Sequence, residues 1–76
     1  MILKTIPIYE VHLSAGASMV TFYFQAPPTS AHVLAAIEAS ERYQENPDLF
    51  GKTLQRVRQH DFAAIPRTLI LNAQNP

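Results

Sequence analysis

Two polar pairs near the start of the chain carry residue types that acid–base chemistry uses. Glu10 and His12 alternate in one extended stretch, and Thr21 and Tyr23 alternate in the next. A carboxylate beside an imidazole can act as general acid or base toward a bound substrate. Small-molecule sites are concave, however, and we expect these side chains on the flat, open face of a sheet. We therefore predict no catalytic residue, no small-molecule substrate and a protein that is not an enzyme.

The histidines His12, His32 and His60 are the natural candidates for metal ligands. A zinc site needs its ligands to converge on one point. We expect His12 on the sheet, His32 in the first turn of one helix and His60 at the end of another. We therefore predict no metal site. The chain has only two glycines, which excludes a glycine-rich phosphate loop, and no cofactor is expected.

Three cations, Lys52, Arg56 and Arg58, form the basic side of the second expected helix. Such a helix can contact phosphates and would give salt-dependent affinity. The whole chain nevertheless carries six basic and six acidic residues, so its net charge is zero. Dedicated nucleic-acid binders usually show a basic excess, and no aromatic platform accompanies these cations. Nucleic-acid binding through this helix face is therefore the alternative function.

The length of 76 residues predicts a single domain that spans residues 1–76. A domain of this size buries only about 60% of the surface of its unfolded chain, so its stability is marginal. The absence of cysteine fits a reducing compartment, and we expect a cytoplasmic protein. No apolar run approaches the roughly 20 residues of a membrane span, so no membrane association is expected.

The strands that position the polar pairs follow from alternation. Residues 8–13 alternate in polarity, and residues 19–26 have the strongest strand character in the chain. A hairpin whose loop is residues 15–18 places Ser14 opposite Met19. A one-residue slip would move charge onto the apolar face, so this register is favoured. It collects six apolar side chains on one face: Tyr9, Val11, Leu13, Val20, Phe22 and Phe24.

Two helices are expected after the hairpin. Pro27 and Pro28 end the second strand, Thr29 or Ser30 caps a helix over residues 30–44, and Pro47 starts a second helix that runs to about residue 60. The inward residues of the first are Val33, Leu34, Ala36, Ile37, Ser40 and Tyr43; those of the second are Leu49, Phe50, Thr53, Leu54 and Val57. The side chains of Phe62 and Ile65 are expected to pack into the core. A third strand is expected at residues 67–72.

The predicted fold is a small α+β domain of order ββααβ, a three-stranded, mostly antiparallel sheet with two helices packed on one face. We expect strand two in the middle, in the order 1-2-3, with strand three antiparallel to it. The alternative is the order 2-1-3 with strand three parallel to strand one. Pro7 lacks an N–H donor, which disfavours strand one as the central strand.

The open sheet face is the predicted functional surface. It should present Ile8, Glu10, His12, Met19, Thr21 and Tyr23. Tyrosine is enriched at protein interfaces, so we predict a contact surface for a protein partner, with an ordinary solvated face as the alternative. The expected function is a small interaction module, either an accessory inhibitor or adaptor of the kind found on phages and plasmids, or a homodimer. Self-association would use strand one, strand three or the open face.

Overall fold

The computed structural model describes the backbone of residues 2–73 and the side chains of residues 3–71. The elements in chain order are β1 (Ile2–Ala15), β2 (Ser18–Phe24), α1 (Ser30–Ala39), α2 (Glu41–Glu45), a 3-10 turn (Pro47–Phe50), α3 (Gly51–Arg58) and β3 (Ala64–Ala73). The strands form one antiparallel sheet, and the helices pack against one of its faces. The predicted α+β fold class is confirmed.

The hairpin between β1 and β2 has the register that the apolar pattern predicts. Ser14 pairs with Met19, and Val11 pairs with Phe22. Ala15 and Ser18 also pair, so the loop has only two residues and is shorter than expected. Gly16 takes a φ of +63° whereas Ala17 does not adopt positive φ, the combination that a type II′ turn requires. Glycine is therefore needed at the first position of this loop.

The preferred strand order, 1-2-3, is wrong, and the order of the alternative, 2-1-3, is the one observed, although strand three is not parallel to strand one. The order is β2-β1-β3, so β1 and not β2 is central, and β3 runs antiparallel to β1 and parallel to β2. The pairing between β1 and β2 begins only at Tyr9, and no strand of the described part of the chain flanks Pro7 on that side. Pro7 can therefore pair with Thr68 of β3, because the position of its missing N–H points away from β3, toward the edge of β1 that β2 does not reach. A proline is compatible with a strand that is central over only half its length.

The first expected helix is divided at Ser40 into α1 and α2. Ser40 has extended backbone angles, and its hydroxyl donates a 2.6 Å hydrogen bond to the carbonyl oxygen of Ile37. The hydroxyl oxygen of Ser40 also accepts a 3.3 Å hydrogen bond from the N–H of Tyr43. One serine thus ends α1 and caps α2. The second expected helix likewise begins as a 3-10 turn at Pro47 and becomes α-helical at Gly51.

The core lies between β1, β2 and the helices. Its buried apolar residues are Val11, Leu13, Ala15, Val33, Ile37, Phe50 and Val57. The partly buried residues packed against them include Phe22, Leu34, Tyr43, Leu54 and Phe62, so the predicted inward faces of both helices are confirmed. Ile65 is the exception, because it is 37% exposed. Its neighbour Ala64 pairs with Val11 and faces the core, so alternation turns Ile65 to the other face.

Candidate functional site

The face of the sheet opposite the helices collects all the residues predicted to form a contact surface. Because Val11 and Leu13 face the core, the even-numbered residues of β1 point the other way. The register places Glu10 opposite Tyr23, His12 opposite Thr21 and Ser14 opposite Met19. The six predicted residues, Ile8, Glu10, His12, Met19, Thr21 and Tyr23, therefore share this face, which we call the open face.

The third strand adds residues to the open face that the sequence analysis missed. Glu10 pairs with Ile65, and Ile8 pairs with Arg67, so both β3 residues lie on the same face as Tyr23. Leu69 and Leu71 continue the same alternation. Residues 64–73 show no regular alternation of polar and apolar side chains, so their sequence does not indicate which of them share the open face. The pairing with β1 decides it.

A chain of hydrogen bonds runs across the open face. The Thr21 hydroxyl lies 2.9 Å from His12 Nδ1, and His12 Nε2 lies 3.1 Å from Glu10 Oε2. Because a carboxylate only accepts, the Nε2–H of His12 donates to Glu10. Arg67 adds a second donor, with its Nε 3.4 Å from the same oxygen. The contacts span three strands and hold the Glu10 carboxylate, whose side chain is 19% exposed, in one orientation.

Apolar side chains surround this polar chain. Between residues 3 and 71, the exposed large apolar side chains are Leu3, Met19, Tyr23, Ile65, Leu69, Ile70 and Leu71, all of them in strands. Five of these seven belong to the open face, since Leu3 and Ile70 point to the other side. Tyr23 is 63% exposed and borders a shallow depression of about 540 Å³ that Ile8, Glu10, Arg67 and Leu69 also line.

The three cations of α3 do not form one surface. Lys52 and Arg56 are four positions apart and line a second depression, together with Asp48. Arg58 follows Arg56 by two positions, so it points to a different side of the helix. Arg56 Nε also lies 4.0 Å from an oxygen of Asp61. Two carboxylates near the cations weaken the positive potential that phosphate binding needs.

Two of the three histidines, His12 and His32, have separate local roles. His12 belongs to the polar chain of the open face. His32 Nδ1 accepts a 3.3 Å hydrogen bond from the N–H of Thr29, and Thr29 Oγ1 accepts one from the N–H of His32, which forms a capping box at the start of α1. Within the part of the chain that the structure describes, no group of three or more acidic or histidine side chains could hold a metal ion.

Ser30 and His60 form a close pair that sequence reasoning did not find. The Ser30 hydroxyl donates a 2.7 Å hydrogen bond to the carbonyl oxygen of Val57, and it lies 2.9 Å from His60 Nδ1. A hydroxyl has one proton, so His60 Nδ1–H is left to donate to Ser30 Oγ. An activated nucleophile would instead direct its proton to the imidazole. The pair ties the start of α1 to the end of α3.

No family model, curated protein or solved structure matches this chain. The fold and the open face therefore define its class: a small α+β domain with one helix-covered and one uncovered sheet face. None of the helices over residues 2–73 is both long enough and apolar enough to cross a membrane.

Proposed function

We propose that this chain is a non-enzymatic interaction module that binds another protein through its open face. The observation that carries the proposal is the distribution of the exposed large apolar side chains described above, most of which lie on that face. Exposed apolar side chains gathered on one face, with polar groups among them, are typical of protein contact sites. A role as an accessory inhibitor or adaptor in the cytoplasm is consistent with a cysteine-free chain of this size.

Three features make the open face suited to a protein rather than to a small molecule. Its depression is shallow, whereas small-molecule sites enclose most of their ligand. Its central Glu10 carboxylate is already held by His12 and Arg67, so it offers an oriented acceptor without a large entropic cost on binding. Tyr23, which is exposed beside it, has the size and the hydroxyl typical of an interface hot spot.

The test begins with affinity capture from the source cell, followed by purification of the captured protein and titration of the binary complex. Tyr23→Ala and Ile8→Ala are each expected to weaken binding by about tenfold or more, as hot-spot truncations do. Leu3→Ala is the matched control, because Leu3 is 66% exposed against 63% for Tyr23 but lies on the opposite side of the sheet. Equal affinities for wild type and Tyr23→Ala would exclude the open face as the binding site.

Nucleic-acid binding through Lys52, Arg56 and Arg58 stays the alternative, and it predicts a different outcome. Fluorescence anisotropy with DNA and RNA oligonucleotides at low salt should show no binding if the protein-binding proposal is correct. Salt-sensitive binding that is lost when all three cations are replaced by glutamate would instead establish the α3 surface as the functional one. The protein-binding test uses variants in the sheet and the nucleic-acid test uses variants in α3, so the two results can be interpreted independently.

A further inference from the structure

The distal half of the sheet is a two-stranded ribbon that no other element of residues 2–73 covers. Residues 2–8 of β1 pair only with β3, because the pairing with β2 begins at Tyr9. Leu3 and Ile70 are exposed on one face of this ribbon, and Leu69 and Leu71 are exposed on the other. An isolated two-stranded ribbon is marginally stable in water, and a third strand is normally needed. Within residues 2–73 the ribbon has no third strand at either edge. Pro7 interrupts the free edge of β1, whereas residues 68–73 of β3 contain no proline, so the outer edge of β3 is the one better suited to pair with another strand.

The prolines show which backbone groups of β3 point toward that edge. Pro7 pairs with Thr68, and Tyr9 pairs with Pro66. A proline fits an antiparallel ladder where its pair exchanges no hydrogen bonds, and such pairs recur every second residue. By the same parity Thr5 and Ile70 form a pair of this kind. The N–H and C=O groups of Thr68 and Ile70 therefore point away from β1, along the free edge.

We propose that two copies of this chain form a dimer in which their β3 strands pair antiparallel about a two-fold axis that passes through Ile70. Ile70 then exchanges hydrogen bonds with Ile70 of the second copy, and Leu69 lies beside Leu71 of the second copy. The result is a continuous six-stranded sheet. This inference rests on the proposed function, since it joins the two open faces into one larger contact surface, and it names a second copy as the partner at the edge.

The register follows from two constraints. Paired side chains must lie on the same face of the combined sheet, so the axis must pass through a residue and not between two. Because β3 ends at Ala73, an axis at Leu69 would place Pro66 opposite Asn72 of the second copy, where it would have to donate a hydrogen bond and cannot. An axis at Ile70 pairs residues 67–73 and leaves Pro66 outside. Arg67 then stands opposite Ala73 of the second copy, and the other pairs in that range are uncharged. The edge is thus complementary to itself, as an isologous interface requires.

The first experiment is light scattering on the purified chain at micromolar concentration. The expected mass is twice the 8.5 kDa of one chain. Ile70→Lys should halve the measured mass, because the two-fold axis places the two introduced charges side by side. Thr5→Lys, on the same exposed face of the ribbon but in β1, should leave the dimer intact. Mixing Ile70→Lys with Ile70→Glu should restore the doubled mass, since opposite charges then meet at the axis.

Cysteine cross-linking tests the register, because the chain contains no cysteine of its own. Ile70→Cys should form a disulfide-linked dimer under mild oxidation, since directly paired strand residues lie at about the Cα separation that a disulfide spans. Leu69→Cys and Leu71→Cys should cross-link poorly alone and efficiently when mixed. A monomeric wild type would overturn the proposal, and so would a dimer that Ile70→Lys leaves intact.

This outcome is separable from the test of the open face. Tyr23 lies on β2, at the opposite side of the sheet from the outer edge of β3. Tyr23→Ala should therefore keep the doubled mass whether or not it loses its protein partner. A monomer that still binds its partner through Tyr23 would refute the dimer alone, and a dimer whose partner ignores Tyr23 would refute the open-face proposal alone.

Discussion

Thr53 of α3 donates a 2.6 Å hydrogen bond from its hydroxyl to the main-chain oxygen of Ser14 at the end of β1. Thr53 is only 6% exposed, and it is a buried polar residue within the helical layer. A main-chain hydrogen bond lies close by: the N–H of Gly16 donates to the carbonyl oxygen of Leu49 at 3.1 Å. These two contacts fix the turn of the hairpin against the helices, so the sheet and the helical layer are joined at this end by polar groups.

Replacing Thr53 by valine should destabilise the fold by about 1 kcal/mol, the net value of a typical intramolecular hydrogen bond. Valine keeps the shape of threonine but cannot donate to Ser14. Thr53→Ser is the complementary variant, since it keeps the hydroxyl and removes the methyl group. Urea denaturation followed by circular dichroism gives both values. A Thr53→Val protein as stable as wild type would show that the bond adds nothing to stability.

The two glycines should respond in opposite directions to the same substitution. Gly16→Ala is expected to destabilise the protein by about 1–2 kcal/mol, because Gly16 has a φ of +63° and an added Cβ would lie 2.9 Å from Leu49 Cδ2. Gly51→Ala is expected to stabilise it by about 0.4–1 kcal/mol, since Gly51 has helical angles and open space around its Cβ position. Shifts of the same sign in thermal unfolding would contradict this assignment of the two backbones.

His60 occupies the left-handed position that ends α3. The φ of His60 is +59°. The N–H of His60 donates a 3.0 Å hydrogen bond to the carbonyl oxygen of Val57, and the N–H of Asp61 donates a 2.9 Å hydrogen bond to the carbonyl oxygen of Arg56. This is the Schellman pattern, in which glycine is preferred. His60→Gly and His60→Ala both lose the contact to Ser30, but only alanine, which has a Cβ, keeps the strain of the positive φ. We therefore expect His60→Gly to be more stable than His60→Ala by about 1 kcal/mol in chemical denaturation.

The capping box of α1 can be improved by a single change. His32 occupies the position where glutamate or glutamine usually accepts the N–H of the capping residue, here Thr29. No acidic residue lies in the first turn of α1. His32→Glu should stabilise the protein by about 0.5 kcal/mol, because a carboxylate also interacts favourably with the helix N-terminus. His32→Ala, which removes the acceptor, should do the reverse, and differential scanning calorimetry can rank the three proteins.

Local patterns were sufficient to predict the hairpin and the helix faces. Tyr9, Val11 and Leu13 alternate with polar residues, so only one register buries apolar area without burying Glu10 or His12. Val33 and Ile37 in α1, and Phe50 and Val57 in the second helical segment, likewise have the spacing of one helix face. These features depend on residues close together in sequence, so the sequence determines them directly.

The break at Ser40 was not predicted because serine is compatible with both a helix interior and a cap. Nothing in the spacing of Val33, Ile37 and Tyr43 distinguishes one continuous helix from two short ones. The choice is made by the Ser40 hydroxyl, which bonds the carbonyl of Ile37 and so competes with the helical hydrogen bond.

By itself, the sequence determined that Glu10, His12, Thr21 and Tyr23 share an uncovered face, because alternation within two adjacent strands decides it. Only the tertiary structure decided that β3 lies beside β1, a pairing between residues as distant as Ile8 and Arg67. The strand propensity of residues 64–73 does not determine which edge of the hairpin β3 joins. That choice brought Arg67 to the Glu10 carboxylate and left the β3 edge at Ile70 without a partner strand among residues 2–73. The same pairing placed residues of β3 on the open face and left the β3 edge that the proposed dimer would use.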